Sequence, residues 1–290
     1  MIDLKNAKYY LMFIVSMIIF GTNGILVAHI SLGSPEIVLM RTLLGFLFLL
    51  VIVLITRSFR FDELKADIVP ASIGGAALGL NWVALFIAYR EAGVSLSTLT
   101  YYCGPILVLA FSPLLFKEKL TVQKLCAIAA VAVGMFLITG NIEPGSEVLR
   151  GILSGGIAAV LYAVLIVSGK RINRLSGLNC ALYELFISFI VVLLYLVVTG
   201  AKLPVIPQKS DILYVLIIGF VNTGLAYYLY FSSLQKLPGQ TVALVCYVDP
   251  LTALFVSVLF LGETLLPLQI VGAVLILGGA MLGEIKKKKQ

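Results

Sequence analysis

The sequence has little charge for its length. Only 12% of its 290 residues are Asp, Glu, Lys or Arg, whereas a soluble domain carries roughly 25%. So few charged side chains cannot cover a chain of this size with a water-facing surface. Hydrophobic residues make up 61% of the chain and its mean hydropathy is +1.09, which together favour a membrane protein.

Groups on which many enzymes depend are also scarce. A single histidine, His29, excludes the HExxH zinc motif, and neither a GxSxG nucleophile motif nor a GxxxxGKS phosphate loop occurs. The four cysteines lie in apolar runs without a CxxC pair, which favours buried free thiols. We therefore predict no cofactor, no metal site and no ATP hydrolysis, and an intramembrane enzyme is disfavoured.

Long apolar runs dominate the chain instead. A bilayer core of about 30 Å needs roughly 20 apolar residues in a helix, and lipid cannot hydrogen-bond the open backbone of an unpaired strand. The predicted fold is therefore an all-α membrane protein with ten transmembrane helices. The ten segments are 9–30, 35–56, 68–90, 94–116, 122–140, 151–170, 179–199, 211–235, 239–261 and 267–284.

The basic residues predict an orientation. If the N-terminus is cytoplasmic, sixteen Lys and Arg residues fall in cytoplasmic segments and only four in external loops, as the positive-inside rule requires. Ten spans then place both termini in the cytoplasm of a bacterial cell, with the chain in its plasma (inner) membrane. The run Lys286–Lys289 is interpreted as an anchor at the lipid surface, not as a nucleic-acid site.

The two halves of the sequence resemble each other. The segment PILVLAFSPLLFKEKLTVQKLCAIAAVAVG aligns with PLTALFVSVLFLGETLLPLQIVGAVLILGG. At a constant offset, Pro105 pairs with Pro250, Glu118 with Glu263, Gly79 with Gly224 and Gly134 with Gly279. We predict that residues 1–145 form one five-helix repeat and residues 146–290 a second. Because five is odd, the second repeat is inverted in the membrane.

This duplicated pattern of a mid-span proline followed by LGE, together with ten spans, resembles the EamA branch of the drug/metabolite transporter superfamily. Phe20-Gly21 and Arg41 are further matches, although the first copy reads KEK instead of LGE. The resemblance implies a ten-helix carrier that moves small metabolites such as amino acids. It does not identify the substrate.

Asp249 is the most distinctive single residue. It lies in the middle of the ninth predicted span, immediately before Pro250. An acid at that depth costs roughly 2.5–3.5 kcal/mol on insertion scales, so we expect it to face a cavity within the protein. It is either a proton-coupling group or the counter-ion of a cationic or zwitterionic substrate. The alternative is a packing acid paired with a neighbouring Asn or Tyr.

A set of polar and aromatic residues is predicted at comparable depth. Amides in lipid are unfavourable and should point inward, while tyrosine faces can hold an ammonium group by cation–π attraction. With Asp249, the candidate substrate-binding residues are Asn23, Asn81, Trp82, Tyr101, Tyr102, Tyr162, Asn222, Tyr227 and Tyr247. For each of them, ordinary helix packing or an interfacial position is the alternative.

Four further ionisable residues receive other interpretations. Glu118 and Glu263 fall at equivalent helix ends and are candidates for a gate or a helix cap, with structural anchoring of the repeat as the favoured interpretation. Arg41 and Glu184 fall within spans two and seven but toward their outer ends. Pairing with neighbours or snorkelling to the surface is the expectation for both. A contact between Arg41 and a substrate carboxylate is the less favoured alternative.

The predicted function is that of a secondary transporter, with export of amino acids or organic cations by alternating access and protons as the candidate coupling ion. A flippase for a lipid-linked substrate is the main alternative. Besides the substrate and the bilayer, no nucleic-acid partner is expected. A self-contained pair of repeats can work as a monomer or weak homodimer.

Overall fold

The computed structural model describes residues 7–104, 107, 121–139, 145–169, 171–201, 205–234, 245 and 248–284. All regular secondary structure of these residues is helical. The predicted site residues Glu118 and Tyr247, the repeat position Pro105 and the Lys286–Lys289 run lie outside the described residues.

The described residues form the following helices in chain order. They are α1 Ala7–Gly21, α2 Asn23–Ala28, α3 Ser34–Thr56, α4 Phe61–Tyr101, α5 Val122–Thr139, α6 Glu147–Gly169, α7 Gly177–Val198, α8 Ile212–Leu216, a π-helical segment Ile217–Leu225, α9 Ala226–Leu234, α10 Val248–Leu261 and α11 Pro267–Glu284. The π-helical segment joins α8 directly to α9.

Six helical stretches of the described chain are long and apolar enough to cross a membrane, and three shorter apolar helices accompany them. The outer surface is apolar as well: Leu54 is 65% exposed, Phe136 71% and Val198 84%. Exposed apolar surface on this scale is typical of contact with lipid. The protein is therefore a multi-pass membrane protein.

Two breaks interrupt the long helices. Thr22 separates α1 from α2 and donates its hydroxyl to the carbonyl of Ile19 at 2.7 Å. Within α4, Gly93 has φ 77°, a left-handed conformation that glycine adopts without a steric penalty. This break lies between the predicted spans 68–90 and 94–116.

Contacts between helices join the two parts of the chain. Helix α4 packs along α6 and α7, α3 packs against α7 and the π-helical segment, and α1 packs against α9 and α10. The largest apolar cluster is built from α2, α3, α4, α7 and the π-helical segment, with Leu49, Phe86 and Leu185 fully buried. The most extensive contacts therefore link helices on opposite sides of residue 145.

Helices α5 and α11 form a separate close pair. A Cβ atom at Gly134 would lie 2.7 Å from the carbonyl oxygen of Gly272, and one at Gly279 would lie 3.1 Å from the carbonyl oxygen of Ala127. Each helix thus presents a glycine to the backbone of the other, which permits close approach.

Two carboxylates tie loops of one part of the chain to helices of the other. Asp67 Oδ2 accepts the backbone N–H groups of Asn173, Arg174 and Leu175 at 3.0, 2.6 and 2.9 Å. Asp211 Oδ2 accepts the backbone N–H of Ser31 at 2.8 Å and its hydroxyl at 2.5 Å. The Ser31 bonds lower the pKa of Asp211, which lies just outside the apolar stretch of α8.

Candidate substrate cavity

A cavity of about 600 Å³ lies among the helices. Its wall is mostly apolar and aromatic, with charged side chains from three different helices, as is usual for small-molecule sites of this size. The charged lining residues are Arg41 from α3, Glu184 from α7 and Asp249 from α10. Helices from both sides of residue 145 therefore contribute to one cavity.

Arg41 is fully buried in this wall, at 0% exposure. Its guanidinium carbon lies 3.9 Å from the centre of the Trp82 ring and 5.2 Å from that of Phe86. Its Nε donates to Thr223 Oγ1 at 2.9 Å, whereas Nη1 and Nη2 have no hydrogen-bond partner. Of the two expectations for Arg41, the structure shows pairing with neighbouring side chains and not snorkelling to the surface, because the side chain points into the protein.

Thr223 holds the guanidinium from the π-helical segment. Its hydroxyl donates to the carbonyl of Ile218 at 2.8 Å, which leaves the oxygen free to accept the Arg41 Nε–H. Gly45 makes room for this contact, since a Cβ there would lie 2.5 Å from Thr223 Cγ2. One edge of the guanidinium is thereby fixed, and its outer two nitrogens are left without a hydrogen-bond partner.

Asp249 lies in the first turn of α10 and lines the same cavity. Tyr102 donates its hydroxyl to Asp249 Oδ2 at 2.5 Å. The structure thus contains the cavity position that we predicted and also the tyrosine partner of the alternative interpretation.

Glu184 is 3% exposed and also lines the cavity. Cys180 Sγ lies 3.5 Å from its Oε1, and a Cβ at Gly74 would lie 2.8 Å from the same oxygen. Like Arg41, it does not snorkel to the surface. The ion pairs among the described residues, Arg60–Glu63 and Arg150–Glu147, are on the surface. The three charged cavity groups are therefore not paired with one another within 4.0 Å.

Aromatic rings cover much of the remaining wall. Trp82 and Tyr227 meet edge to face with centroids 5.6 Å apart, and Tyr227 meets Phe20 at 5.3 Å. Tyr101 packs against Tyr102 at 5.3 Å and against Tyr162 at 5.1 Å. These rings present polarisable faces and hydroxyl groups at the cavity, a combination that suits a ligand ammonium group.

Most of the predicted binding residues that the structure describes meet at this cavity. The ones that line it are Asn23, Trp82, Tyr101, Tyr102, Tyr162, Tyr227 and Asp249. Asn81 and Asn222 do not line it. Among the described residues, no group of three or more His, Cys, Asp or Glu side chains is placed to hold a metal ion.

The two asparagines that lie outside the wall bond to neighbouring helices. Asn81 Nδ2 donates to the carbonyl of Ala158 at 2.5 Å. Asn222 Nδ2 donates to the carbonyl of Ile19 at 2.7 Å and to Thr22 Oγ1 at 2.9 Å. Asn222 thus holds the α1–α2 break beside the cavity.

Glu263 caps the second part of α4. Its two carboxylate oxygens accept the backbone N–H groups of Val94 at 2.6 Å and Ser95 at 2.8 Å, directly after the break at Gly93. A carboxylate at the start of a helix satisfies otherwise unpaired N–H groups. The contact has the geometry of the helix-capping alternative.

The chief residues that sequence reasoning left out are Arg41 and Glu184. Their signal was present, because each is an isolated charge inside an apolar run. Intramembrane charges of this kind usually face a protein interior. What the sequence lacks is the direction in which each side chain points around its helix.

The fold and the cavity define a membrane transporter, and similarity to known proteins specifies which kind. The model of the "EamA-like transporter family" matches residues 7–140 and again residues 149–283. The chain belongs to this family, a branch of the drug/metabolite transporter superfamily, which confirms the resemblance seen in the sequence.

Relatives from several organisms cover nearly the whole chain. A Bacillus subtilis protein named uncharacterized transporter YxxF is 28% identical over 281 residues, 95% of this chain and 89% of its own. The Escherichia coli threonine/homoserine exporter RhtA is 24% identical over 262 residues, 89% of this chain and 84% of its own. These relatives are named as transporters, not enzymes.

A solved crystal structure shares the fold. It superimposes with a TM-score of 0.67 at 18% identity and covers 95% of this chain and 96% of its own. At that level of identity the likeness concerns the fold alone.

Proposed function

We propose that this protein is a secondary carrier that exports a small metabolite, such as an amino acid or an organic cation, by alternating access. The observation that supports this most directly is the cavity, which contains a buried cation, one buried acid and one partly buried acid that form no ion pair with one another. Charges in such a place are unfavourable unless a ligand or proton uses them.

The proposal includes the predicted topology of ten helices in two inverted repeats. Two successive matches of the family model support the duplication. The reciprocal contacts of Gly134 and Gly279 support a two-fold relation between the repeats. In this topology the chain lies in a bacterial inner membrane with both termini in the cytoplasm, and it works as a monomer or weak dimer.

Amino acids are a candidate substrate because RhtA is named as an exporter of threonine and homoserine. The cavity adds a physical reason, since aromatic faces and acids suit an ammonium group. The size of the cavity, about 600 Å³, accommodates a compound of this kind.

Asp249 is the proposed proton-coupling residue. Its carboxylate lies in the cavity wall and accepts a hydrogen bond from Tyr102, a residue of the other half of the chain. A carboxylate at the junction of two moving halves can release its proton when substrate binds. Protons would then drive transport in the opposite direction to the substrate.

A flippase for a lipid-linked substrate is a second candidate. A groove of about 740 Å³ lies between α4 and α6, with Val69, Ile73 and Val164 in its wall and Arg171 near one end. Val69 is 65% exposed and Ile73 47%, so the groove faces the lipid. A lipid chain fits such a wall, and the charged residues Asp67 and Arg171 also line the groove.

Reconstituted vesicles test the proposal. We would measure uptake of a panel of amino acids and organic cations by wild-type protein and by Asp249→Asn, with and without a pH gradient. Asp62→Asn, which changes an exposed acid at the start of α4, is the matched control. Proton-dependent uptake that only Asp249→Asn abolishes supports the coupled carrier.

Uptake that is unaffected by the pH gradient and by the Asp249 substitution would indicate a carrier that is not coupled to protons. Failure to take up any soluble compound, together with movement of labelled lipid between leaflets, would instead establish the flippase.

A further inference from the structure

The unpaired part of the Arg41 guanidinium bears on the identity of the substrate. Nη1 and Nη2 are buried, and neither has a hydrogen-bond partner. A buried charged group without partners is strongly destabilising unless something neutralises it. Because Arg41 lines the cavity, a ligand bound in the cavity can supply the missing partner.

Two parts of the Arg41 guanidinium are already engaged by neighbouring side chains. Trp82 covers a face of the guanidinium at 3.9 Å, and Thr223 occupies Nε at 2.9 Å. A guanidinium fixed in this way offers its two outer nitrogens as a planar fork. That fork matches the two oxygens of a carboxylate, which it binds with parallel charge-assisted hydrogen bonds.

The acids in the cavity do not fill this fork. Glu184 and Asp249 both line the cavity, yet neither forms an ion pair with Arg41 within 4.0 Å. Asp249 is held by Tyr102, and Glu184 lies beside Cys180. The cavity thus presents separated charges of opposite sign, which a ligand with both signs can satisfy simultaneously.

From this arrangement we infer that the substrate is a zwitterion whose carboxylate binds Arg41 and whose ammonium group lies among the tyrosines and cavity acids. A simple organic cation would leave the Arg41 fork empty. A doubly charged phosphate would be repelled by the two acids. This inference rests on the proposed carrier function and narrows it to substrates that carry a carboxylate.

The chain contains an internal probe for the test. Trp82 is its single tryptophan and lies against Arg41, so intrinsic fluorescence reports on this part of the cavity. Purified full-length protein would be titrated with L-threonine, L-leucine and L-phenylalanine, and with the amide of each. The amides keep the side chain and ammonium group but have no carboxylate.

We expect at least one free amino acid to change the Trp82 emission saturably, and its amide to bind at least about tenfold more weakly. Arg41→Gln should abolish that difference, and Arg150→Gln, an exposed control, should preserve it. Arg41→Lys keeps the charge without the planar fork, so this variant should still bind the free amino acid more tightly than its amide, but by a smaller factor.

Binding of the amides as tightly as the acids, or binding of none of the six compounds, would overturn the inference. The comparison of acid with amide uses the wild-type protein, so the test stands even where Arg41→Gln does not fold. The carrier function is judged separately by uptake into vesicles. Transport of tetraphenylphosphonium, a cation without a carboxylate, would support the carrier function but contradict the inference that the substrate is a zwitterion.

Discussion

Tyr102 donates a hydrogen bond to Asp249 at 2.5 Å across the interface between α4 and α10. The two residues belong to different predicted repeats, and both line the central cavity. A short bond between a hydroxyl and a carboxylate is typical of a charge-assisted interaction. The contact therefore links the proposed proton-coupling residue to a helix of the other predicted repeat.

Removal of the Tyr102 hydroxyl should impair transport. Tyr102→Phe keeps the ring against Tyr101 but leaves Asp249 without this donor, and a hydrogen bond to a charged group contributes about 1.5–3 kcal/mol. We expect the initial rate of proton-driven uptake to fall about tenfold or more in vesicles. Tyr214→Phe is the control, because Tyr214 stacks on His29 outside the cavity. Equal rates for both variants would show that the Tyr102 hydroxyl is dispensable.

The break at Gly93 should not tolerate a side chain. Alanine at φ 77° is strained, and its Cβ would lie 2.7 Å from the capping oxygen of Glu263. We expect Gly93→Ala to lower the free energy of unfolding by about 1–3 kcal/mol, measured as a lower melting temperature in detergent. Gly156→Ala is the control, since that helical position has open space around it and alanine favours a helix. Equal melting temperatures for the two variants would contradict the assigned strain.

The close contact between α5 and α11 can be tested at two adjacent glycines of α11, Gly278 and Gly279. A Cβ at Gly279 would lie 2.9 Å from Ala130 Cβ, whereas one at Gly278 would meet nothing within 4 Å. We expect Gly279→Ala to lower the melting temperature and Gly278→Ala to leave it unchanged or raise it slightly. The same loss in both variants would point to a general intolerance of α11 to alanine, not to the α5–α11 contact.

Much of the helical architecture could be predicted because its causes are local. Apolar runs of sufficient length must be helical in lipid, and Gly93 lies between two such runs. The break at Thr22 and the π-helical segment could not be predicted, since both depend on contacts with other helices. Asn222 illustrates this, because its side chain bonds to the residues around the α1–α2 break.

The sequence indicates which residues are unusual in their segments but not where each side chain points. Asp249 and Trp82 were expected at the cavity because each is exceptional in its segment. For Arg41 the sequence left both pairing and snorkelling open, because it does not show the direction of the side chain. The side chain instead turns inward onto Trp82 and Thr223, a direction that only the packing of α3 determines.

The carboxylates of Asp67 and Asp211 should each stabilise one loop independently of the other. Each ties a loop of the other half to the start of a helix, Asp67 at residues 173–175 and Asp211 at Ser31. Asp67→Asn should accelerate hydrogen exchange of the 173–175 amides about fivefold or more while leaving Ser31 unchanged. Asp211→Asn should do the reverse. Acceleration at both loops in either variant would mean general unfolding and would contradict separate tethers.

The Asp211 tether should also respond to pH in a definite direction. The Ser31 hydrogen bonds lower the pKa of Asp211, so the folded state favours the charged carboxylate and the tether is complete at neutral pH. It is lost as the pH falls through that lowered pKa, below the ordinary aspartate value of about 3.9. Exchange at Ser31, corrected for the intrinsic rate, should therefore accelerate in acid, and the Asp211→Asn variant should show no such transition. A transition of the same size in the variant would assign it to another group.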